Sequence, residues 1–185
     1  MITRRTLLKY GLSGSLVLAA GSVTLGVRGP RVRRPRPKTI RALSEREFHA
    51  LEAIALGLCP GGDGLPDAAA LDVVGKVDTL LTTMPAATRA EVKQVIALMD
   101  NALAATVLEG RTVPLSHLEG PALERALEGW RRSRLSVRRT AFKAVHKLCM
   151  SAYWSDPRVY AHCGYPGPPA LGARAATARA SEAAG

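Results

Sequence analysis

Aromatic residues and cysteines are scarce in this sequence, and its first 41 positions contain no acidic residue. Aromatic residues make up 4% of the 185 residues, whereas apolar residues, many of them Ala, Leu and Val, make up 47%. Sheet sandwiches are usually richer in Thr, Tyr, Phe and Ile, so this composition favours packed helices. We therefore predict an all-α fold, an antiparallel bundle of four to five helices.

The distribution of charge argues against a nucleic-acid-binding protein. The formal net charge is +11, but residues 1–41 alone carry ten Arg and Lys and no acid. Residues 42–110 contain four bases and ten acids, and residues 111–185 contain twelve bases and five acids. The basic N-terminal segment therefore explains most of the excess positive charge, and the remainder has an acidic first half and a basic second half.

The N-terminal stretch TRRTLLK has the pattern of a twin-arginine export signal, a receptor-read address used by proteins that are exported folded. The residues that fit this pattern are Arg4, Arg5, Leu7, Leu8 and Lys9. The uncharged run that follows is short and only mildly apolar for a transmembrane helix, which suits the apolar region of an export signal. A generic secretory signal is the alternative, and both cleavage of the leader and its retention as an anchor stay open.

Composition divides the chain into four segments. Residues 1–27 are predicted to be the export signal, and residues 28–43 a basic, Pro-rich linker that forms neither helix nor core. Residues 44–168 carry helical periodicity and are predicted to form the folded domain. Residues 169–185 consist mainly of Ala, Arg, Ser and Gly without a buried pattern, so we expect them to be disordered.

Capping signals and apolar periodicity predict the first two helices. Ser44 and Glu47 have the spacing of a capping box at the start of the first helix, which ends before Pro60. We place Glu52 on its solvated face. The second helix is predicted over residues 67–84, with five inward residues: Leu71, Val74, Val77, Leu80 and Leu81.

Three further helices are predicted in the second half of the domain. Thr88 and Glu91 form a second possible capping box, before a helix that continues to about residue 109. Pro121 suits the first turn of the fourth helix, and the fifth ends near Trp154, before an Asp-Pro pair. The predicted buried face of the fifth helix consists of Leu135, Val137, Phe142, Val145, Leu148 and Cys149. The following stretch YAHCGYPGPP is expected to be an ordered loop or a binding tail, and not a helix.

The sequence contains no phosphate-binding loop, dinucleotide fingerprint, HExxH or GxSxG motif. His146 and Cys149 are three residues apart, so a metal could bridge them on one helix face. With His162 and Cys163 they define the alternative function, a stand-alone exported helical metal-binding or redox protein. A surface or capping role for each histidine, and a turn rather than a calcium site at Asp63, are the expectations we favour.

The odd number of cysteines leaves their pairing open. Cys59, Cys149 and Cys163 form no CxxC motif. In an exported protein they could form one internal bridge with a free thiol left over, or a bridge to another chain, and unreactive buried thiols are equally compatible. Cys149 is on an apolar helix face and is expected to be buried, whereas Cys163 is in a loop and is our candidate for a bridge to a partner.

The stretch WRRSRLSVRRTAFK is the most basic part of the domain. Arg131, Arg134 and Arg138 could share one helical stripe, and Arg132 and Arg139 another. This face is either simply solvated or docks an acidic protein surface or a layer of lipid headgroups. It lacks the interleaved aromatic residues that single-stranded nucleic acids require.

The order of these features resembles the gluconate 2-dehydrogenase subunit 3 family, the small subunits of membrane-bound sugar and alcohol dehydrogenases. The resemblance covers roughly residues 1–168 and is most specific in AYWSDP, residues 152–157, and GYPGP, residues 164–168. The loop CPGGDG departs from the family, whose members tend to have a Pro-rich turn with an aspartate there.

The resemblance implies a non-catalytic accessory subunit with no cofactor, metal or catalytic residue of its own. Such a subunit escorts a large FAD-dependent dehydrogenase of the glucose-methanol-choline type through the twin-arginine translocase, to the periplasm or the outer face of the cytoplasmic membrane. A multihaem cytochrome c subunit often accepts the electrons. The expected partners are therefore the flavoprotein, the translocase and, in some complexes, the cytochrome.

The C-terminal part of the domain contains our candidates for contact with this partner, because stiff aromatic residues and prolines supply amphipathic contact area. These candidates are Tyr153, Trp154, Asp156, Pro157, Cys163, Gly164, Tyr165, Pro166, Gly167 and Pro168. A third hypothesis is a membrane-surface protein held by an uncleaved leader and the basic linker.

Overall fold

A computed structural model of the protein describes residues 31–101 and 113–167. These residues form six α-helices and two 3-10 turns, with no β-strand among them beyond a single bridge between Gly62 and Leu65. The predicted all-α class is thereby confirmed. The predicted export signal and the C-terminal tail after residue 167 lie outside the described residues.

The described residues contain six helices in chain order. They are α1 (Glu45–Leu58), α2 (Val73–Thr83), α3 (Ala86–Met99), α4 (Gly120–Arg131), α5 (Ser136–Trp154) and α6 (Pro157–Tyr160). The 3-10 turns are Leu115–His117, which packs on α1, and Ala161–Cys163, which continues α6. None of the helices in these two ranges combines the length and the apolar character needed to cross a bilayer.

Helix α1 is the central element of the fold. The capping box predicted at its start is present, since the Ser44 hydroxyl accepts from the Glu47 N–H and the Glu47 carboxylate accepts from the Ser44 N–H. Every residue from 48 to 55 is buried, and α1 contacts α2, α3, α4 and α5. A helix that is buried all round needs neighbours on every side, which explains this arrangement.

Burial of residues 48–55 corrects the prediction that Glu52 lies on a solvated face, and it places His49 in the interior instead of in the expected surface or capping role. Both side chains are buried. Arg34, which belongs to the predicted linker, forms an ion pair and a hydrogen bond with Glu52. This contact from a residue 18 positions away compensates the buried carboxylate, and no local periodicity could indicate it.

The described part of the predicted linker packs against the helices instead of extending away from them. Ile40 and Leu43 are buried in the same core as α1. Arg33 donates to the carbonyl of Leu118 at 2.8 Å, and Arg36 donates to the carbonyls of Ile40 and Leu43 at 2.6 and 3.1 Å. Proline prevents helix formation here, but extended backbone can still be buried when its polar groups find partners.

A single carboxylate in α2 holds the end of this N-terminal strap, which we define as residues 31–43. The N–H groups of Arg41, Ala42 and Leu43 donate to the Asp78 carboxylate at 2.8, 2.9 and 2.8 Å. Asp78 is itself buried. Three adjacent N–H groups that precede α1 are thus satisfied by a side chain where no helical carbonyl is available.

Helices α2 and α3 begin or end at different residues from those predicted. Residues 68–72 form turns, so α2 starts at Val73, and Leu80 is 40% exposed instead of buried. Helix α3 starts at Ala86, after Pro85, so Thr88 and Glu91 lie inside the helix and form no capping box. It ends at Met99, and residues 102–109 of the longer predicted helix lie outside the described residues.

The junction between α4 and α5 also differs from the prediction. Helix α4 ends at Arg131 and α5 begins at Ser136, so the predicted arginine stripes do not lie on one continuous helix. Leu135 and Val137 are 46% and 60% exposed, whereas Phe142, Val145 and Cys149 are buried as predicted. In the first turn of α5 the buried side chain is that of Arg138 and not that of Val137, so the predicted apolar face fails at its N-terminal end.

Candidate functional site

The end of α5 leads into a short folded segment, residues 157–167, which we call the C-terminal hook. Helix α5 ends at Trp154 as predicted, but Pro157 occupies the first turn of a new helix. The Asp156 carboxylate caps that helix by accepting from the Arg158 N–H at 3.0 Å. An Asp N-cap followed by Pro favours a helix start, which explains why the loop expected here is partly helical.

Asp156 also ties the hook to the body of the protein. Its carboxylate accepts from the Arg158 guanidinium, twice at 2.9 Å, and from Lys76 of α2 at 2.7 Å. These donors, Arg158 first and Lys76 second, hold the pKa of Asp156 well below its ordinary value. Arg158 further donates to the carbonyl of Ala70 at 3.1 Å. Asp156 thus fixes the position of the hook relative to α2.

The remainder of the hook folds back on itself through aromatic and backbone contacts. The Tyr165 N–H donates to the Tyr160 carbonyl at 3.0 Å, and the two rings meet edge to face with centroids 5.1 Å apart. Gly164 permits this reversal because its φ is +66°, in the left-handed region that side chains disfavour. A Cβ built on Gly64 would lie 3.1 Å from His162 Nε2, which places the hook against the loop after α1.

An apolar groove lies between that loop and the last turns of α5. Its volume is about 180 Å³, and it is lined by Leu58, Cys59, Pro60, Gly61, Leu65, Met150, Tyr153 and Trp154. The Tyr153 hydroxyl donates to the Pro66 carbonyl at 2.8 Å and fixes one wall. The Trp154 ring packs edge-on against Tyr153 at 5.4 Å and is 44% exposed. The groove therefore has a rigid base and an accessible aromatic rim.

The candidate contact residues separate into exposed and interior groups. Tyr153 and Asp156 are buried, so a partner could not contact them directly. They instead support the exposed residues through their hydrogen bonds to Pro66 and Lys76. The exposed candidates are Trp154, Pro157, Cys163, Gly164, Tyr165 and Pro166, while Gly167 is partly exposed. Pro168 lies outside the described residues. Trp154 and Tyr165, at 44% and 45% exposure, are the large side chains that this region offers to a partner.

The three thiols are unbonded and differ in accessibility. Cys59 and Cys149 are buried and Cys163 is exposed, as predicted for the latter two. Burial raises the pKa of Cys59 to about 11. Burial, with a smaller contribution from the nearby Cys59, raises that of Cys149 to about 12. Because the thiolate is the reactive form, these two groups are unreactive at neutral pH.

Alkylation of the native chain is therefore expected to modify Cys163 first and alone. With iodoacetamide at mildly alkaline pH, mass spectrometry should find one label per folded chain and three after denaturation. The variant Cys163→Ser is the control and should take up no label while folded. Rapid labelling of Cys59 or Cys149 in that variant would contradict the buried positions described above.

The four residues of the alternative metal or redox function do not converge in this structure. The His146 ring packs against Phe142 with centroids 5.5 Å apart, and Cys149 is buried with a raised pKa. His162 and Cys163 belong to the exposed hook. Across residues 31–101 and 113–167, no three His, Cys, Asp or Glu side chains come together in a way that could hold a metal ion.

Sequence reasoning missed the ionic partners that organise this region. Lys76 and Arg158 were assigned no role, although together they satisfy Asp156. The Asp-Pro pair was a usable signal, because it is a common helix start as well as a helix stop. Lys76 is 80 positions from Asp156, and a contact of that range leaves no local pattern.

By fold and surface, the described residues define an all-α protein with an aromatic-rimmed apolar groove. Comparison with protein-family models, with curated proteins and with solved structures found no significant match to this chain. Its function is therefore inferred from its own residues and contacts.

Proposed function

We propose that this chain is a non-catalytic small subunit that escorts a folded FAD-dependent dehydrogenase of the sugar, alcohol or gluconate type through twin-arginine export. In the periplasm, or at the outer face of the cytoplasmic membrane, it then stabilises that enzyme. Catalysis and FAD belong to the partner, and a multihaem cytochrome c can complete the complex. The helices of the small subunit form an antiparallel bundle in this proposal.

The exposed Trp154 at the edge of the groove is the observation that carries the proposal. Trp154, and the exposed Tyr165 of the neighbouring hook, lie in the segments whose sequence most resembles the small-subunit family. Tryptophan and tyrosine are enriched among the residues that contribute most to protein–protein affinity, because they bury large areas with few rotatable bonds. An exposed tryptophan beside an apolar groove therefore fits a docking surface for a folded protein.

The anchoring of this surface also supports a binding role. Asp156 joins the hook to Lys76 and Arg158, and the Tyr153 hydroxyl bonds to the loop that forms the opposite wall of the groove. A surface that is ordered before binding loses less conformational entropy when a partner arrives. The region thus has the rigidity expected of a preformed interface.

Replacing Trp154 with alanine is expected to weaken binding to the proposed flavoprotein partner by about thirtyfold, the effect of a typical interface hot spot. Affinity would be measured by co-purification and titration calorimetry of the two full chains. Leu80→Ala is a matched control, because Leu80 is 40% exposed on α2, away from the groove lining.

Three results would contradict the proposal. The chain could fail to co-purify with the flavoprotein, Trp154→Ala could bind as tightly as the unmodified chain, or Leu80→Ala could weaken binding equally. Failure to co-purify would reject the flavoprotein as the partner. Either of the other two results would reject only the hypothesis that the partner binds at the groove beside Trp154. Thermal unfolding of both variants checks that neither change acts through loss of the fold.

A further inference from the structure

The junction between α4 and α5 exposes aliphatic side chains in the most basic part of the folded protein. We define the basic corner as residues 131–147. Leu135 and Val137 are 46% and 60% exposed at its tip. A single exposed aliphatic residue is ordinary on a protein surface, but two such neighbours surrounded by cations need a physical account.

The contacts around these two residues fix their outward direction. Trp130 is buried, and the Arg138 guanidinium lies over its ring at 4.5 Å. The side of the junction that carries Trp130 and Arg138 therefore faces the interior. Arg139 donates to the carbonyls of Ser133 and Arg134 at 2.7 and 3.0 Å and closes the turn. Leu135 and Val137 could turn inward only if these contacts were broken.

Most of the charge near the tip along the chain is positive. From residue 129 to residue 155 the chain contains seven Arg and Lys and no acid, and all of these cations except the buried Arg138 are exposed or partly exposed. Glu128, just before this stretch, is shared by Arg131 and Arg132 and so neutralises only part of the charge. Lys143 and Lys147 extend the positive surface along the exposed side of α5.

We propose that the basic corner docks on an anionic lipid bilayer, with Leu135 and Val137 entering the headgroup layer and the surrounding cations contacting lipid phosphates. Basic residues near an anionic membrane each contribute attraction, and aliphatic side chains add to it by leaving water. Long Arg and Lys side chains suit this position, because their stems can accompany the aliphatic residues while their charges stay at the phosphate level.

The same observations fit other occupants less well. A protein interface is depleted of charge at its centre and gains most of its affinity from buried aromatic anchors, whereas the corner exposes two aliphatic residues among many cations. A single-stranded nucleic acid would need exposed aromatic rings on which its bases could stack. The inference stands independently of the proposed dehydrogenase partner, whose surface is at the other end of α5.

A fluorophore placed at the tip tests the proposal in the full chain. Val137→Cys in a Cys163→Ser background would carry an environment-sensitive dye, since the two remaining cysteines are buried. The unsubstituted chain labelled at Cys163 is the matched control, because about 25 Å of helix separates Val137 from the end of α5. The N-terminal leader is present in both chains, so its own membrane affinity affects both equally.

We expect the dye at position 137 to shift to shorter wavelength with vesicles of phosphatidylglycerol and phosphatidylcholine, and not with phosphatidylcholine alone. The dye at Cys163 should not shift. Adding Arg134→Glu and Lys143→Glu to the Val137→Cys chain should raise the lipid concentration needed for half of the shift by at least about tenfold, since each cation contributes roughly a fivefold effect.

Other outcomes would overturn the proposal. No shift at position 137, an equal shift at Cys163, or an equal shift with phosphatidylcholine alone would each exclude docking of this corner on anionic lipid. An equal shift with soluble polyglutamate would indicate an acidic polypeptide as the occupant instead. Leu135→Cys provides a second reporter site, and unchanged thermal unfolding shows that the labelled chains are folded.

Discussion

Replacing Asp78 with alanine is expected to lower the free energy of unfolding by about 3 to 5 kcal/mol, because three backbone N–H groups lose their acceptor. These are the N–H groups of residues 41–43, at 2.8 to 2.9 Å from the carboxylate. The substitution also frees the strap whose Ile40 and Leu43 belong to the core. For a domain of this size such a loss is a large share of the total stability.

Urea unfolding followed by circular dichroism would measure this loss. Asp78→Asn keeps one acceptor oxygen and should lie between the alanine variant and the unmodified chain. Asp67→Ala is the matched control, because Asp67 accepts from one N–H, that of Ala70 at 2.7 Å, and should cost about 1 kcal/mol. Equal losses for Asp78→Ala and Asp67→Ala would show that the triple contact does not hold the strap.

Replacing both Arg4 and Arg5 with lysine is expected to abolish export of this chain and of the flavoprotein expressed with it. A twin-arginine signal is read by a receptor, so preserving the charge does not preserve the signal. A generic secretory signal needs only positive charge before its apolar region and would tolerate the change. The experiment thus separates the two interpretations of the leader.

Fractionation of cells expressing both chains would measure this effect as a drop of at least about tenfold in periplasmic flavoprotein. The pair Arg28→Lys and Arg31→Lys is the control, since it makes the same substitutions outside the signal pattern. If the flavoprotein reaches the periplasm without this chain, the escort role is wrong. If both chains are exported with Lys at positions 4 and 5, the leader is not a twin-arginine signal.

Features of the fold that depend on residues close together in the sequence could be predicted. The capping box of Ser44 and Glu47 and the end of α5 at Trp154 are local, so they are visible in a few consecutive residues. The burial of Cys149 follows from the 3.6-residue period of a single helix. Each of these predictions depends only on residues within one helix or at its ends.

Features that depend on distant residues could not be predicted in this way. Glu52 is buried because Arg34 reaches it, and Asp78 is an anchor because residues 41–43 pack against α2. Leu135 and Val137 were predicted to continue the apolar face of α5, yet Leu135 precedes the helix and Val137 is exposed while its neighbour Arg138 is buried against Trp130. In the candidate site, the aromatic residues could be recognised in advance, but which of them are exposed depends on the fold of the hook.

The position of the strap, residues 31–43, depends on whether the rest of the domain is folded. Residues 41–43 are held only when α2 has reached its native position, and they lie just after the basic segment that follows the leader. In an unfolded chain the peptide bonds after Lys38 and Arg41 would be open to trypsin. Faster tryptic cleavage at Lys38 and Arg41 in Asp78→Ala than in Asp67→Ala would demonstrate this link, and equal rates would exclude it. If residues 1–27 are the proposed export signal, trypsin resistance of the strap would report whether the domain that follows the signal has folded before export.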